Sequence, residues 1–389
     1  MTTSIDPPGR RGLLDVPLGD EAGRPRSKAD AGSKELDLRV VSSRARPVTI
    51  VHVTESLGGG TARAMFEFVL STPTAEHHLI ACKRDGSEVD VDLSSLFASS
   101  VICTTRWLIP RELRRTLRKL SPDVVHLHSS WAGLLGRITP IPRRVPKPRV
   151  LYSPHCFFFE RANLPRIVRQ LAYRMERVLS PRTDLSVCVS PHELDSARRL
   201  RMQAVYVPNT SRRMTAALPH GGDEAKPRTP RIITIGRVCQ QKDPEFFIRV
   251  KRRCEELGVD ADWVWIGQGE RDLTHRLELE GITVTGWLDS LAELLSSASV
   301  YLHTAAWEAS PMSILEATEL GIPLAIRSIP SLASLGLDPS LCDPASVAKE
   351  VQYTLATGTV TRPDLQAAYR KAHQPDRQCA ALVKAYDLT

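Results

Sequence analysis

Short runs of consecutive apolar, mostly β-branched residues alternate along this chain with longer stretches in which apolar residues recur every three or four positions. The runs in the first half are VTIVHVT (48–54), HHLIAC (77–82), DVVHLH (123–128), RVLYS (149–153), DLSVCVS (184–190) and AVYVPN (204–209). Those in the second half are RIITIG (231–236), ADWVWIGQGE (261–270), ITVTGW (282–287) and the run through Val300, Tyr301 and Leu302. Near-continuous apolarity marks strands covered on both faces, as in parallel sheets, and the amphipathic stretches between them supply the crossovers. Two such series predict an α/β protein of two Rossmann-like, doubly wound domains facing across a cleft. Periodicity is missing from 1–46 and 211–230, which gather Pro, Gly and charge. The expected order is therefore a disordered tail (1–46), a first domain (47–210), a linker (211–230), a second domain (231–365) and a helical C-terminal segment (366–389), interrupted near Pro375.

The stretch 299–327, SVYLHTAAWEASPMSILEATELGIPLAIR, organises the rest. It reads as strand, loop, helix, turn and strand. Ser310 is expected as N-cap and Pro311 as first helical residue, because proline lacks only an amide that would go unpaired there. Gly321 suits a left-handed C-terminal cap, and Pro323 prevents continuation. Glu308 then lies just before a helix N-terminus whose free amides favour an anion, and Glu316 sits about two turns further on. That arrangement can hold a nucleotide-linked sugar.

Charge and composition narrow the partners. Lys+Arg 52 against Asp+Glu 44 gives a formal +8, which favours anionic partners without choosing among them. The basic residues are dispersed and no recognition motif is present, so nucleic acid is not expected. Eight scattered cysteines lack metal-ligand spacing and fit reduced thiols in a cytosol. No signal-peptide pattern and no run of about 18 apolar residues is present, so a cytoplasmic protein is expected.

Leu57-Gly58-Gly59-Gly60 follows the first strand as a phosphate-approaching glycine loop would, or as a tight turn without ligand. The pattern G-x-G-x-x-G fails at Arg63, and Lys83-Arg84 stands where a dinucleotide fold places its ribose-binding acid, which disfavours a nicotinamide cofactor. His126, His128 and His155 fall near strand ends, but no third metal ligand has supporting spacing; packed or hydrogen-bonded histidines are the simpler reading. Residues 157–182 join Leu164, Ile167, Val168, Leu171, Met175 and Val178 to six arginines at helical spacing. Such a segment either lies on an anionic bilayer or packs on its own sheet.

Gly236-Arg237 with Lys242, Gly267-x-Gly269, and Glu308-x7-Glu316 after a Tyr-Leu-His strand together resemble a retaining glycosyltransferase of family 4, with the GT-B fold, over residues 47–389. LHSSWAGLLGR and YSPHCFFFE are similar to its bacterial exopolysaccharide or capsule branch. The resemblance implies transfer of a sugar from a UDP- or GDP-sugar to a hydroxyl of a glycan or lipid-linked acceptor, at the inner membrane face. It implies that Arg237 and Lys242 grip the donor diphosphate, Glu308 the sugar hydroxyls and Glu316 the ribose. Amides around Pro311, Met312 and Ser313 would meet phosphate or sugar, His155 the sugar near its 6-position, and Gly59 and Gly60 the donor phosphate. Gly236 and Gly267 belong to the same donor loops. No cofactor and no metal are implied. A nucleotide-sugar 2-epimerase of this fold and a non-catalytic nucleotide-sugar-binding protein are the alternatives. The chain departs from the family at Ala309, usually glycine, and at Arg327, where glycines and an acid are usual.

Overall fold

Val48, Ile50, Val51 and Val53 are all buried, so the first apolar run becomes an interior strand, β1 (Thr49–Leu57). It pairs in parallel with β2 (Glu76–Lys83) on one side and β4 (Val124–His128) on the other. With β3 (Ser99–Cys103), β5 (Arg149–Ser153), β6 (Leu185–Cys188) and β7 (Ala204–Tyr206), these strands form a seven-stranded sheet in the order β3-β2-β1-β4-β5-β6-β7. A second parallel sheet has the order β10-β9-β8-β11-β12, from β8 (Arg231–Ile235), β9 (Asp262–Ile266), β10 (Thr283–Val284), β11 (Val300–His303) and β12 (Leu324–Ile326). This computed structural model describes residues 46–83, 92–142, 146–211, 229–288 and 292–388. Nearly all of the tail expected at 1–46 and of the linker expected at 211–230 lies outside them.

Strand order reverses between β1 and β4 in the first sheet and between β8 and β11 in the second. In an open parallel sheet the crevice beyond the carboxyl ends at such a reversal is where ligands bind. Gly58 and Ser129 stand there in one domain, Gly236 and Thr304 in the other. No helix among the described residues is long and apolar enough to cross a membrane.

Three local readings change. The edge strand β3 has only Cys103 buried, so its sequence carries no strong apolar signal. The run 282–287 pairs in parallel with β9 only at Thr283 and Val284, after which the backbone turns at Gly286 with φ 72° and bridges to Gly267. Residues 157–182 divide at Pro165 into a single turn (Phe158–Glu160) and the helix Arg166–Leu179. That helix buries Ala172, Glu176 and Leu179, whereas Ile167, Leu171 and Val178 are 62%, 56% and 71% exposed. Of the two readings left open for this segment, packing on its own sheet does not hold for the apolar stripe, which faces out. Glu176 makes the difference: its carboxylate is buried against Arg137 at 2.7 Å, and Tyr152 donates to it at 3.3 Å, anchoring the polar side on the sheet.

The segment 366–389 is not one unit. The helix Pro363–Ala372 places Tyr369 in the core of the second domain. After it, the helix Pro375–Tyr386 returns to the first domain, where Leu382, Ala385 and Tyr386 pack with Val48, Ile50 and Phe68.

Candidate active site

The loop after β8 is shaped by glycine. Gly236 has φ 149°, and a Cβ there would lie 2.8 Å from Lys242 Cε, so the lysine stem crosses where only hydrogen fits. A Cβ on Gly267 would sit 2.3 Å from the Gly236 carbonyl oxygen. Gly267 therefore lets the two loops close on each other, and Trp265 Nε1 donates to that same carbonyl at 2.8 Å.

Lys242 is tied to the β11 loop. Thr304 Oγ1 donates to the Lys242 carbonyl at 2.7 Å, and Ala306 N to that of Gln241 at 2.9 Å. Its ammonium lies 2.6 Å from Glu308 Oε1, both side chains being largely enclosed at 18% and 14% exposure. Arg237, five residues back in the same loop, is half-buried and has no hydrogen-bond or ion-pair partner among the described residues. Arg327 lies behind this loop: it pairs with Asp243 at 2.6 Å, and Asp243 caps the helix Pro244–Glu256 through Phe246 N. Its departure from the family pattern supports the loop from behind. Ala309 is buried in the first domain's cluster with Phe68 and Cys156, which accounts for its methyl group.

The helix carrying the second carboxylate begins one residue later than expected. Met312–Glu319 is helical, Pro311 is the N-cap with ψ 128°, and no side chain caps it. Asn209 of the first domain donates to the Ser310 carbonyl at 2.9 Å, which holds Ser310 outside the helix. Ser313 is buried and accepts from Tyr301 at 2.8 Å, so its amide rather than its hydroxyl is left for a ligand. His303 is buried and held well below its ordinary pKa, first by desolvation and then by the Lys242 charge.

Glu316 is 2% exposed. One oxygen is in an ion pair with Arg63, which comes from the first-domain helix Gly59–Leu70; the other, Oε2, is buried without a hydrogen-bond partner. Arg63 was visible in the sequence only as the residue that breaks the glycine motif. The same helix brings Gly60 against Met312, where a Cβ on Gly60 would lie 4.0 Å from the methionine side chain. Glu308, Lys242, Met312, Ser313, Glu316 and Gly60 thus meet at one junction between the domains.

His155 stands at the end of β5, on the same side of the first sheet as Gly59 and Gly60. It and Cys156 both have positive φ, 50° and 84°, which non-glycine residues adopt at a cost of about 1 kcal/mol or more each. Glu193 holds the turn by accepting from Cys156 N and Val189 N, both at 2.8 Å. Burial raises the Glu193 carboxyl to about 7 against the pull of those two amides. His52, His126 and His128 present ring nitrogens within 4.8 Å of one another, the geometry of a possible cation site. All six nitrogens are already in hydrogen bonds: to His77, His128 and His155 along one line, and to Tyr386 and Ser153 from His126. A cavity of about 720 Å³ lies by contrast at the opposite sheet end, around Arg231, Asp262 and Thr283, and does not touch this junction.

Residues 49–210 match the model described as a glycosyl transferase 4-like domain, and residues 229–357 the one described as glycosyl transferases group 1. This chain belongs to glycosyltransferase family 4. The glycosyltransferase is 25% identical over 283 residues, 64% of its length, to UDP-Gal:alpha-D-GlcNAc-diphosphoundecaprenol alpha-1,3-galactosyltransferase of Escherichia coli, covering 71% of that protein. It is 23% identical over 309 residues to a 41.2 kDa protein in the cps region of Klebsiella pneumoniae, covering 75% of this chain and 84% of that one. Among solved structures it resembles Anabaena HepE, determined in complex with UDP and glucose, with a TM-score of 0.68 at 12% identity over 87% of this chain and 99% of that one. The fold is GT-B, and the protein is a glycosyltransferase.

Proposed function

We propose that this glycosyltransferase moves a hexose from a UDP-sugar, with retention of anomeric configuration, to a hydroxyl of a lipid-linked glycan at an anionic membrane face. The observation that carries the reading is the pair of carboxylates flanking one helix N-terminus: Glu308 charge-paired with Lys242, and Glu316 with a buried open oxygen. The UDP of HepE and the UDP-Gal and diphosphoundecaprenol in the name of the E. coli relative support this donor nucleotide and acceptor class.

In this reading a ribose hydroxyl donates to Glu316 Oε2, and Glu308 accepts from hydroxyls of the sugar. Lys242, Arg237 and the amides of Met312 and Ser313 bear the diphosphate. Charge on the leaving phosphate grows as the glycosidic bond breaks, so fixed cations there stabilise the transition state more than the ground state. A phosphate oxygen then takes the proton of the incoming acceptor hydroxyl on the same face, which gives retention without a protein nucleophile. No step calls for a metal or a further cofactor.

For the membrane, Ile167, Leu171, Met175 and Val178 form an exposed stripe on one helix. Beside it a cavity of about 380 Å³ is lined by Phe159, Arg166, Arg169, Gln170, Tyr173 and Arg174. An apolar stripe next to a basic face is what an interfacial helix offers to anionic lipid. Incubation with UDP-, GDP- and dTDP-sugars and a membrane extract tests the whole reading. The expected result is UDP release that depends on the extract, with an α-linked product from an α-linked donor. Release from GDP-sugars alone, or an inverted product, overturns the donor and stereochemical assignments respectively.

A further inference from the structure

We propose that three buried histidines, His128, His52 and His77, fix the tautomer of His155 from the carbonyl of Thr72, so that the sugar contact the family resemblance implies for His155 is made by an Nδ1 lone pair accepting from a hydroxyl. The inference rests on reading the interdomain junction as the sugar-transfer site.

The chain of hydrogen bonds has only one consistent direction. His77 Nε2 lies 3.0 Å from the Thr72 carbonyl oxygen and 3.2 Å from Thr72 Oγ1. That hydroxyl already donates to the Phe68 carbonyl at 2.8 Å, so both Thr72 atoms accept and His77 Nε2 must carry the proton. A neutral imidazole has one N–H, which leaves His77 Nδ1 as an acceptor. Its neighbour is His52 Nε2 at 3.0 Å, so the proton lies there, and His52 Nδ1 accepts in turn from His128 Nε2 at 3.0 Å. His128 Nδ1 then accepts from His155 Nε2 at 3.1 Å. One carbonyl at the far end thereby orders four rings, and His155 is left with Nδ1 unprotonated and without a partner among the described residues.

The rings are kept neutral by their surroundings. Desolvation holds His52 and His128 well below the ordinary histidine pKa, lowers His77, and brings His155 down to about 4. The backbone fixes the last ring as firmly as the chain does, through the left-handed His155-Cys156 turn held by Glu193. An apolar core would fill this space without four polar rings to satisfy. What the chain adds is polarity: a neutral Nδ1 accepts from O–H, whereas Nδ1–H or an imidazolium would donate and select the opposite partner. His128, His52 and His77 are positioning residues in this scheme, and the ligand group is a proton-donating hydroxyl of the transferred sugar.

Nitrogen-15 histidine NMR of the full chain reads the tautomer directly and needs no variant. His155 is expected with its proton on Nε2 at pH 7, with and without UDP; a proton on Nδ1, or a mixture, overturns the proposal. Donors in which one sugar hydroxyl at a time is replaced by fluorine, which cannot donate, give the functional arm. One such donor is expected to lose about tenfold in kcat/KM in the wild type, the size of one hydrogen bond, and to lose nothing further in His155→Ala. His52→Phe breaks the chain at its middle while keeping a ring of similar volume. It is expected to give a mixed His155 tautomer and to shrink the fluorine penalty; an unchanged penalty and tautomer would show the chain to be packing only. Absence of any wild-type turnover with nucleotide sugars would strike the transfer reading instead, and leaves the tautomer measurement to be judged on its own.

Discussion

Arg63 and Glu316 stand 253 residues apart in sequence and form an ion pair across the two domains, the arginine 49% exposed and the glutamate 3%. Arg63 holds one carboxylate oxygen and leaves the other open, so it orients Glu316 without filling its place. Ribose is remote from the bond that breaks, so losing this support weakens ground and transition states alike. Arg63→Ala is expected to raise the donor KM about tenfold with kcat changed less than about twofold, and Glu316→Ala to lower kcat/KM about a hundredfold. Steady-state kinetics with the donor varied provides the check. An unchanged donor KM in both variants would remove Glu316 from the ribose.

Lys242 acts where charge develops. Lys242→Ala is expected to lower kcat by about two to three powers of ten, the range found when one donor to a developing oxyanion is removed. Because Glu308 Oε1 is only 2.6 Å from its ammonium, the double variant with Glu308→Gln should fall short of the product of the single effects. Full multiplication of the two losses would show that the pair does not act as a unit.

The exposed stripe of the helix Arg166–Leu179 makes a separable claim. Changing Arg166, Arg169 and Arg174 to Glu should abolish sedimentation with anionic liposomes, and Leu171→Ser with Val178→Ser should weaken it. Unfolding free energies from urea titration should stay within about 0.5 kcal/mol of wild type, since these side chains are exposed. Raising salt should release the wild type progressively. Sedimentation unaffected by either set of changes would contradict membrane docking by this helix.

Stability should depend on pH through the buried histidines. His52, His126 and His128 are held well below the ordinary 6.5, and His155 and His373 come down to about 4. In the unfolded chain these rings take up protons near pH 6.5 that the folded protein refuses, so the stability they confer is complete above that pH and is lost toward pH 4. Glu193 works in the opposite sense: raised from 4.5 to about 7, it favours the folded state at low pH and loses that contribution through the same window. These depressed histidines, joined by His77, His78 and His303, outweigh the raised carboxyls of Glu193 and Glu319. Urea denaturation at intervals from pH 7.5 to 4.5 should show falling stability, with a slope of about 1.4 kcal/mol per pH unit for each net proton taken up on unfolding. A flat profile would mean that the rings are charged or open to solvent.

The alternation of apolar runs and amphipathic stretches was enough to anticipate two parallel sheets, because strands covered on both faces have few alternatives to hydrophobic residues. Glu308, Lys242 and Glu316 were legible as a group because one loop, one helix and their spacing lie close in sequence. Arg63 was not, since its partner belongs to the other domain and nothing local marks it. The histidine line was equally hidden: it needs the register that sets His52 beside His126, and strand neighbours cannot be paired from spacing. For the helix Arg166–Leu179 the periodicity was right but could not choose the buried face, because that choice is made by the Arg137–Glu176 pair, whose partner lies on another element.

The helix Pro375–Tyr386 makes the chain pass between the lobes twice, before β8 and again after the helix Pro363–Ala372. The two passages are stitched together: Gln378 donates to the Pro208 carbonyl at 2.9 Å and accepts from Thr210 at 3.1 Å. Such a waist acts as a fulcrum. The stitch lies within the first lobe, where Ser71 also donates to Gln378 at 2.6 Å, so both crossings leave from one fixed patch about which the second lobe can turn without breaking these bonds. Loosening Gln378 should therefore alter how the enzyme opens from a point that touches neither sugar nor nucleotide.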